Sequence, residues 1–266
     1  MRKFWKKGFT LLLGTLLAVS LIGCGSSADG TGSTAGGSGT ANIVNIGVTG
    51  SLVSFNPFVM DMSEMNHYSS GLMFLPLVEL DQNLNFVPML ADSITTEDNL
   101  TFTVHIDDAA TWSDGTPVTT ADVEYTVRRL CSPVVANPYM MYYVFEGVDD
   151  ETGFVEENAD SVAGIRIVDD KTITFTVKSP MSLISFENGY ARYMHILPKH
   201  VIEKFSEAEL TTNEWFSHPD VVSGPYMVTD FDPEHYVSYT ANTKYFKGAP
   251  KIEKLNFKIC LLYTSP

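Results

Sequence analysis

The segment Trp112-Ser113-Asp114-Gly115-Thr116-Pro117-Val118-Thr119-Thr120-Ala121-Asp122-Val123-Glu124-Tyr125 leaves the backbone few paths. Asp114-Gly115 predicts a tight turn in which glycine takes a positive φ, and Pro117 stiffens the way out. Thr119 stands where a helix N-cap belongs, and Asp122, three residues on, completes a capping-box pair that suits the helix dipole. Val123, Val127 and Leu130 then mark one face of a helix, and Trp112 is placed to anchor the turn in a core. The segment therefore reads as strand exit, turn and helix start.

Around it the pattern is mixed α+β. Leu100, Phe102, Val104 and Ile106 alternate with Thr101, Thr103 and His105, a strand with one buried face. Ile165 and Ile167 lead into Asp169-Asp170-Lys171, and Ile173, Phe175 and Val177 lead out, a hairpin. Strands are also expected over Pro225–Val228 and Tyr236–Tyr239, flanking a connection at Asp230-Phe231-Asp232-Pro233. Ile252–Ile259 makes a further strand with Leu255 and Phe257 inward. Ile43–Val48 reads as a buried β-branched strand, and Leu84–Leu90 as extended. Helices are expected over Met65–Leu80, burying Leu72, Met73, Leu75 and Leu77 with Pro76 marking a kink or end, and over Pro198–Phe205 with Pro at the first turn. There is no repeat and no long βαβ alternation.

The amino end sets the expected compartment. Arg2, Lys3, Lys6 and Lys7 precede an apolar run from Phe9 to Ile22, too short to span a bilayer comfortably and typical of an export signal. It closes on Leu21-Ile22-Gly23-Cys24, the lipobox pattern, so cleavage after Gly23 and acylation of Cys24 are expected. The alternative is an uncleaved signal-anchor helix with a buried cysteine. Residues 26–41, rich in Gly, Ser and Thr without a large apolar side chain, form a flexible tether. The net charge is −15 over 266 residues, more acidic still without the leader. That excess disfavours nucleic-acid binding and adhesion to anionic lipid, so membrane attachment has to be covalent. With Cys24 committed to lipid, only Cys131 and Cys260 remain, and no disulfide framework exists.

The Trp112–Tyr125 string resembles the signature of the family 5 solute-binding proteins, the oligopeptide- and dipeptide-binding components of ABC importers. Other stretches agree in order: Ser54-Phe55-Asn56-Pro57, Phe74-Leu75-Pro76-Leu77-Val78-Glu79, Pro88-Met89-Leu90-Ala91, Ile196-Leu197-Pro198-Lys199-His200, Ser223-Gly224-Pro225-Tyr226 and Asn242 through Pro250. The resemblance implies a periplasmic-binding-protein-like fold, the large cluster with an extra domain. Residues 1–23 would be the lipoprotein signal and 24–42 the lipidated cysteine and linker. Residues 43–90 with 200–259 would form lobe I, and 91–199 the accessory domain II. Residues 260–266 continue neither strand nor pattern, which reads as a truncation that leaves the second ligand-gripping lobe missing.

By the same resemblance the ligand segment follows Ser54-Phe55-Asn56-Pro57 and maps onto Met60, Asp61, Met62, Ser63 and Glu64, where an extended peptide would be held partly through main-chain hydrogen bonds. Methionines adapt to varied cargo, and an acid could pair with a ligand amine. Tyr139, Tyr142, Tyr143, Ser223 and Gly224 are further candidates. Trp112, Asp114, Gly115, Pro117, Thr119 and Asp122 are expected to be structural. The implied protein is a monomer, held by its lipid at the outer face of the cytoplasmic membrane or in the periplasm. It would deliver peptides or a similar small solute to an ABC permease, without cofactor. Relatives that carry nickel chelates, haem or oligosaccharides, and a ligand-sensing lipoprotein, stay open as alternatives.

Enzyme chemistry finds little footing. There is no Gly-x-Ser-x-Gly elbow and no His-Glu-x-x-His helix. Cys131, at a helix end after Arg129, is either a stabilised thiolate or an inert buried thiol. His195 and His200, five apart, do not share a helix face, and His67, His105, His218 and His235 are scattered. Asp149-Asp150-Glu151 and Glu156-Glu157 read as solvated loop, without calcium-loop spacing.

Overall fold

Alternating side chains build two four-stranded sheets, and segments distant in sequence close both of them. The computed structural model describes residues 42–260, apart from positions 51, 53, 62, 139, 140 and 158. The lipobox, tether and carboxy-terminal residues 261–266 lie outside the described residues. In chain order, strand β1 (Ile43–Val48) is followed by helix α1 (Glu64–Gly71) and a short hairpin of β2 (Val78–Leu80) and β3 (Phe86–Pro88). Then come β4 (Ala91–Thr95), β5 (Thr101–Ile106), α2 (Thr120–Leu130), β6 (Ile165–Ile167) and β7 (Thr172–Thr176). Helices α3 (Leu183–Phe186) and α4 (Lys199–Ile202) precede β8 (Tyr226–Asp232), β9 (Tyr236–Ala241) and β10 (Lys254–Ile259).

One sheet has the order β1-β10-β9-β8, with β1 parallel to β10 and the other pairs antiparallel. The other has the order β4-β5-β7-β6, antiparallel throughout. Phe102, Val104 and Ile106 of β5 face Ile173 and Phe175 of β7, all fully buried, and Phe186 of α3 stacks on Phe102 at 4.2 Å. One contiguous apolar core runs beneath both sheets.

The turn at Trp112–Thr120 takes the expected form. Gly115 has φ +95°, and Trp112 N donates to Thr116 O at 2.8 Å. Asp114 Oδ1 accepts from Thr116 N at 2.9 Å, and its Oδ2 meets His200 Nε2 at 2.9 Å. Thr119 N donates to Asp122 Oδ2 at 2.8 Å, closing the capping box that starts α2, while the Asp122 Oδ1 atom accepts from Lys199 N at 2.9 Å. Trp112 is fully buried with its Nε1 3.5 Å from Asp122 Oδ2, and Pro117 bridges to Thr111. One carboxylate thus ties the signature turn, α2 and the entry to α4 together.

Four expectations are corrected. The Met65–Leu80 helix ends at Gly71, because the carbonyls beyond it are taken from outside: Leu72 O by Tyr226 N, Met73 O by Ser223 N and Gly224 N, Leu75 O by Ile196 N. Met73, Leu75 and Leu77 are buried as expected, Met73 in the turn that closes α1 and Leu75 and Leu77 in the irregular stretch before β2. Ile43–Val48 is a strand, yet it lies at the sheet edge, with Ile43 46% and Ile46 41% exposed. The helix after Ile196 is one turn, with Pro198 at the N-cap. Finally, β8 continues through Asp232, leaving Pro233–His235 as the turn.

Candidate functional site

Ser63 begins the site by capping α1: its Oγ accepts from Asn66 N at 3.4 Å, with extended backbone at the cap. Asp61 stands just before it and accepts from Ser63 N and from Asn66 Nδ2. The hydrogen bond from Ser63 holds the Asp61 carboxyl below the usual carboxylate range. Helix α1 lies opposite the end of β1, and between them opens a groove of about 750 Å³. Ile46 through Gly50 form one wall, Asp61, Ser63, Glu64, Met65 and Tyr68 the other, with Phe257 of β10 also lining it.

Three of the expected ligand residues, Asp61, Ser63 and Glu64, come together here. Met60 does not line the groove and is 4% exposed, and Met62 and Tyr139 lie outside the described residues. The structure separates Tyr142, Ser223 and Gly224 from the groove. Tyr142 is buried against Phe145, and burial pushes its phenol pKa up. Ser223 Oγ accepts from Leu75 N at 3.0 Å, and a Cβ on Gly224 would stand 2.2 Å from Leu72 O. Their places are set by packing around the Leu72–Leu77 segment. Tyr143 is 48% exposed on a different surface, beside Lys178 and Met181.

Behind the groove lies a polar network that periodicity did not reveal. Arg192, 8% exposed at its side chain, donates from Nε to Glu79 Oε1 and from Nη2 to the Tyr68 hydroxyl at 3.2 Å. Glu79 Oε2 meets His67 Nε2 at 2.7 Å, and His67 Nδ1 meets His195 Nε2 at 3.0 Å. His195 Nδ1 lies 2.8 Å from Phe74 O, an acceptor, so that nitrogen carries the proton and Nε2 accepts. His67 Nε2 then faces the Glu79 carboxylate, and its Nδ1 faces the accepting Nε2 of His195. Burial would raise the Glu79 carboxyl, but bonds from His67, Leu80 N and Arg192 bring it down to about 2. Burial, with the charge on His67, pushes His195 down to about 3.

Sequence did carry one signal for this network: Glu79 is the only charged residue in Phe74–Leu80, and such a residue, when buried, demands a partner. The partner, Arg192, is 113 residues away. Burial pushes the Cys131 thiol up to about 12, so the inert reading holds for it. Among the described residues, no group of three His, Cys, Asp or Glu is placed to hold a metal ion. No helix there is long and apolar enough to cross a membrane.

A family model described as bacterial extracellular solute-binding proteins, family 5 Middle, matches residues 85–261. The periplasmic oligopeptide-binding protein OppA of Escherichia coli is 28% identical over 176 residues, 62% of this chain and 31% of that protein. The E. coli murein tripeptide-binding protein MppA superposes with a TM-score of 0.71 at 20% identity, covering 83% of this chain and 42% of that one. The ABC transporter substrate-binding protein CtaP of Listeria monocytogenes is 30% identical with a TM-score of 0.64, over 83% of this chain and 41% of that one. The chain spans about a third of the length of the curated relatives it matches. These structures share its mixed α/β, periplasmic-binding-protein architecture. With the family model covering more than half of its length, the chain belongs to the bacterial extracellular solute-binding proteins of family 5.

Proposed function

We propose that this protein captures peptides outside the cytoplasmic membrane and hands them to an ABC permease, making and breaking no covalent bond itself. The observation that carries the reading is the groove between the end of β1 and the start of α1, in a chain of this family. Its walls are mostly apolar, and the run Gly47-Val48-Thr49-Gly50, with two glycines, continues from the edge strand β1. An extended ligand can hydrogen-bond such a wall through its main chain, which gives affinity without sequence preference. OppA is named an oligopeptide-binding protein, and the related AppA of Bacillus subtilis is described in complex with a nonapeptide. On this reading the β1-β10-β9-β8 sheet with the β2–β3 hairpin is lobe I, and the β4–β7 sheet is domain II.

The test is calorimetric titration of the complete gene product with a tri- to pentapeptide mixture. Submillimolar binding or better is expected, worth at least about 4 kcal/mol. No heat at millimolar peptide would refute the reading. Attachment through Cys24 belongs to the same proposal, from the lipobox and tether in sequence. Cys24→Ser should leave precursor uncleaved and free of labelled fatty acid; continued acylation of that variant would exclude Cys24 as the anchor.

A further inference from the structure

The wall of the groove carries charge of one sign. Asp61 and Glu64 line it, and no basic side chain does. Asp61 is occupied by Ser63 N and Asn66 Nδ2, whereas the Glu64 side chain is 66% exposed and stands 3.9 Å from Arg192 Nη2. One helical turn on, Tyr68 is half exposed, with its phenol close to Glu64. The Tyr68 oxygen accepts from Arg192 Nη2 at 3.2 Å, which leaves its O–H free to donate toward Glu64 or a ligand. Arg192 itself is turned inward and fixed by Glu79. The two lining carboxylates, Asp61 and Glu64, with Glu79 behind them, outnumber the one guanidinium of Arg192, so the groove side is net negative.

We propose that Glu64 and Tyr68 form a subsite for a cationic group of the bound ligand, positioned from behind by the Arg192–Glu79 ion pair. The assignment rests on the groove being the ligand site. Glu64 supplies the opposite charge, and Tyr68 supplies a ring face beside it, which a primary ammonium can approach as a cation–π partner. The guanidinium fork bonds the carboxylate and the phenol from one rigid plane, so the tyrosine is held in place before ligand arrives. Apolar neighbours Ile46, Val48 and Phe257 lower the local dielectric and strengthen the attraction. The ammonium could belong to a peptide amino terminus or to a lysine side chain; the chemistry recognised is the same.

The complete gene product, titrated at low salt with Ala-Lys-Ala and Ala-norleucine-Ala, each free and N-acetylated, separates the two sources. Removing the recognised ammonium should weaken binding about tenfold, in the acetylated pair or in the norleucine pair according to its source. Glu64→Gln should abolish that preference. Tyr68→Phe keeps the ring but removes the hydroxyl that Arg192 bonds, and it should reduce the preference in part at temperatures where the variant is still folded. Arg192→Lys keeps the charge but loses the fork, and it should reduce the preference at temperatures where the variant is still folded. An unchanged preference in Glu64→Gln, or none in the parent protein, overturns the subsite. A lowered Tm with unchanged preference in Arg192→Lys overturns the positioning role. Failure of every peptide to bind the parent overturns the functional reading and the subsite with it.

Discussion

Glu79 and His195 tie stability to acidity in the same direction. The carboxyl of Glu79 falls from an ordinary 4.5 to about 2, so its contribution is complete above pH 4.5 and lost as pH drops toward 2. His195 falls from 6.5 to about 3; below 6.5 the unfolded chain binds a proton that the folded one refuses, which also removes stability as pH drops. The expected outcome is a Tm that declines below about pH 6.5 and more steeply below about pH 4.5. Glu79→Gln should lose the lower, steeper part, as read by scanning calorimetry from pH 7 to 3. At Gly115 the cost of a side chain is conformational alone, since a Cβ there meets nothing within 4 Å while φ is +95°. Gly115→Val should therefore destabilise by about 1–3 kcal/mol, measured by urea unfolding; an unchanged midpoint would mean the turn tolerates a different path.

At the scale of elements, the strength of α2 lies in who shares its cap. Thr119→Ala keeps the Thr119 N–H bond to Asp122 and should cost about 1 kcal/mol. Asp122→Ala leaves the amides of Thr119 and Lys199 and the Trp112 indole without their acceptor. With those buried or half-buried donors orphaned, a loss of about 3 kcal/mol is expected. Comparable losses in the two variants would show the cap to be purely local. The end of α1 follows a different rule, because the carbonyls just beyond it, at Leu72, Met73 and Leu75, are claimed by Tyr226, by Ser223 and Gly224, and by Ile196. Gly224→Ala drives a methyl against the Leu72 carbonyl at 2.2 Å and should cost about 3 kcal/mol. The effect should appear as early amide exchange at Met73–Leu75, and undisturbed exchange there would refute the contact.

Over the whole molecule, β1 is joined to β10 across more than two hundred residues, Ile43 opposite Lys254 and Val48 opposite Ile259. That pairing puts Gly47–Gly50 beside α1 and so creates the groove; neither segment makes it alone. The Arg192–Glu79 pair likewise joins a residue after α3 to one in the β2–β3 hairpin. Both are long closures, and each couples the groove to the buried frame behind it.

Residues 112–125 determined their own structure, because turn, cap and helix face are all encoded within one turn-length of each other. The alternations in β5, β7 and β10 likewise showed which side chains face inward, since period two is a local property of the strand. The same spacing could not tell that Ile43–Val48 would stand at an edge, because burial depends on the neighbour across the sheet. An apolar run such as Leu72–Leu77 has no period that shows where a helix stops, and the backbone partners at Ile196, Ser223, Gly224 and Tyr226 set the end. Asp61, Ser63 and Glu64 were within reach of sequence, through the resemblance, but Ser223, Gly224 and Tyr142 were drawn into packing instead. His67, Glu79, Arg192 and His195 carry no shared period, and only the tertiary fold brings them together, where low dielectric makes partners for buried charge obligatory.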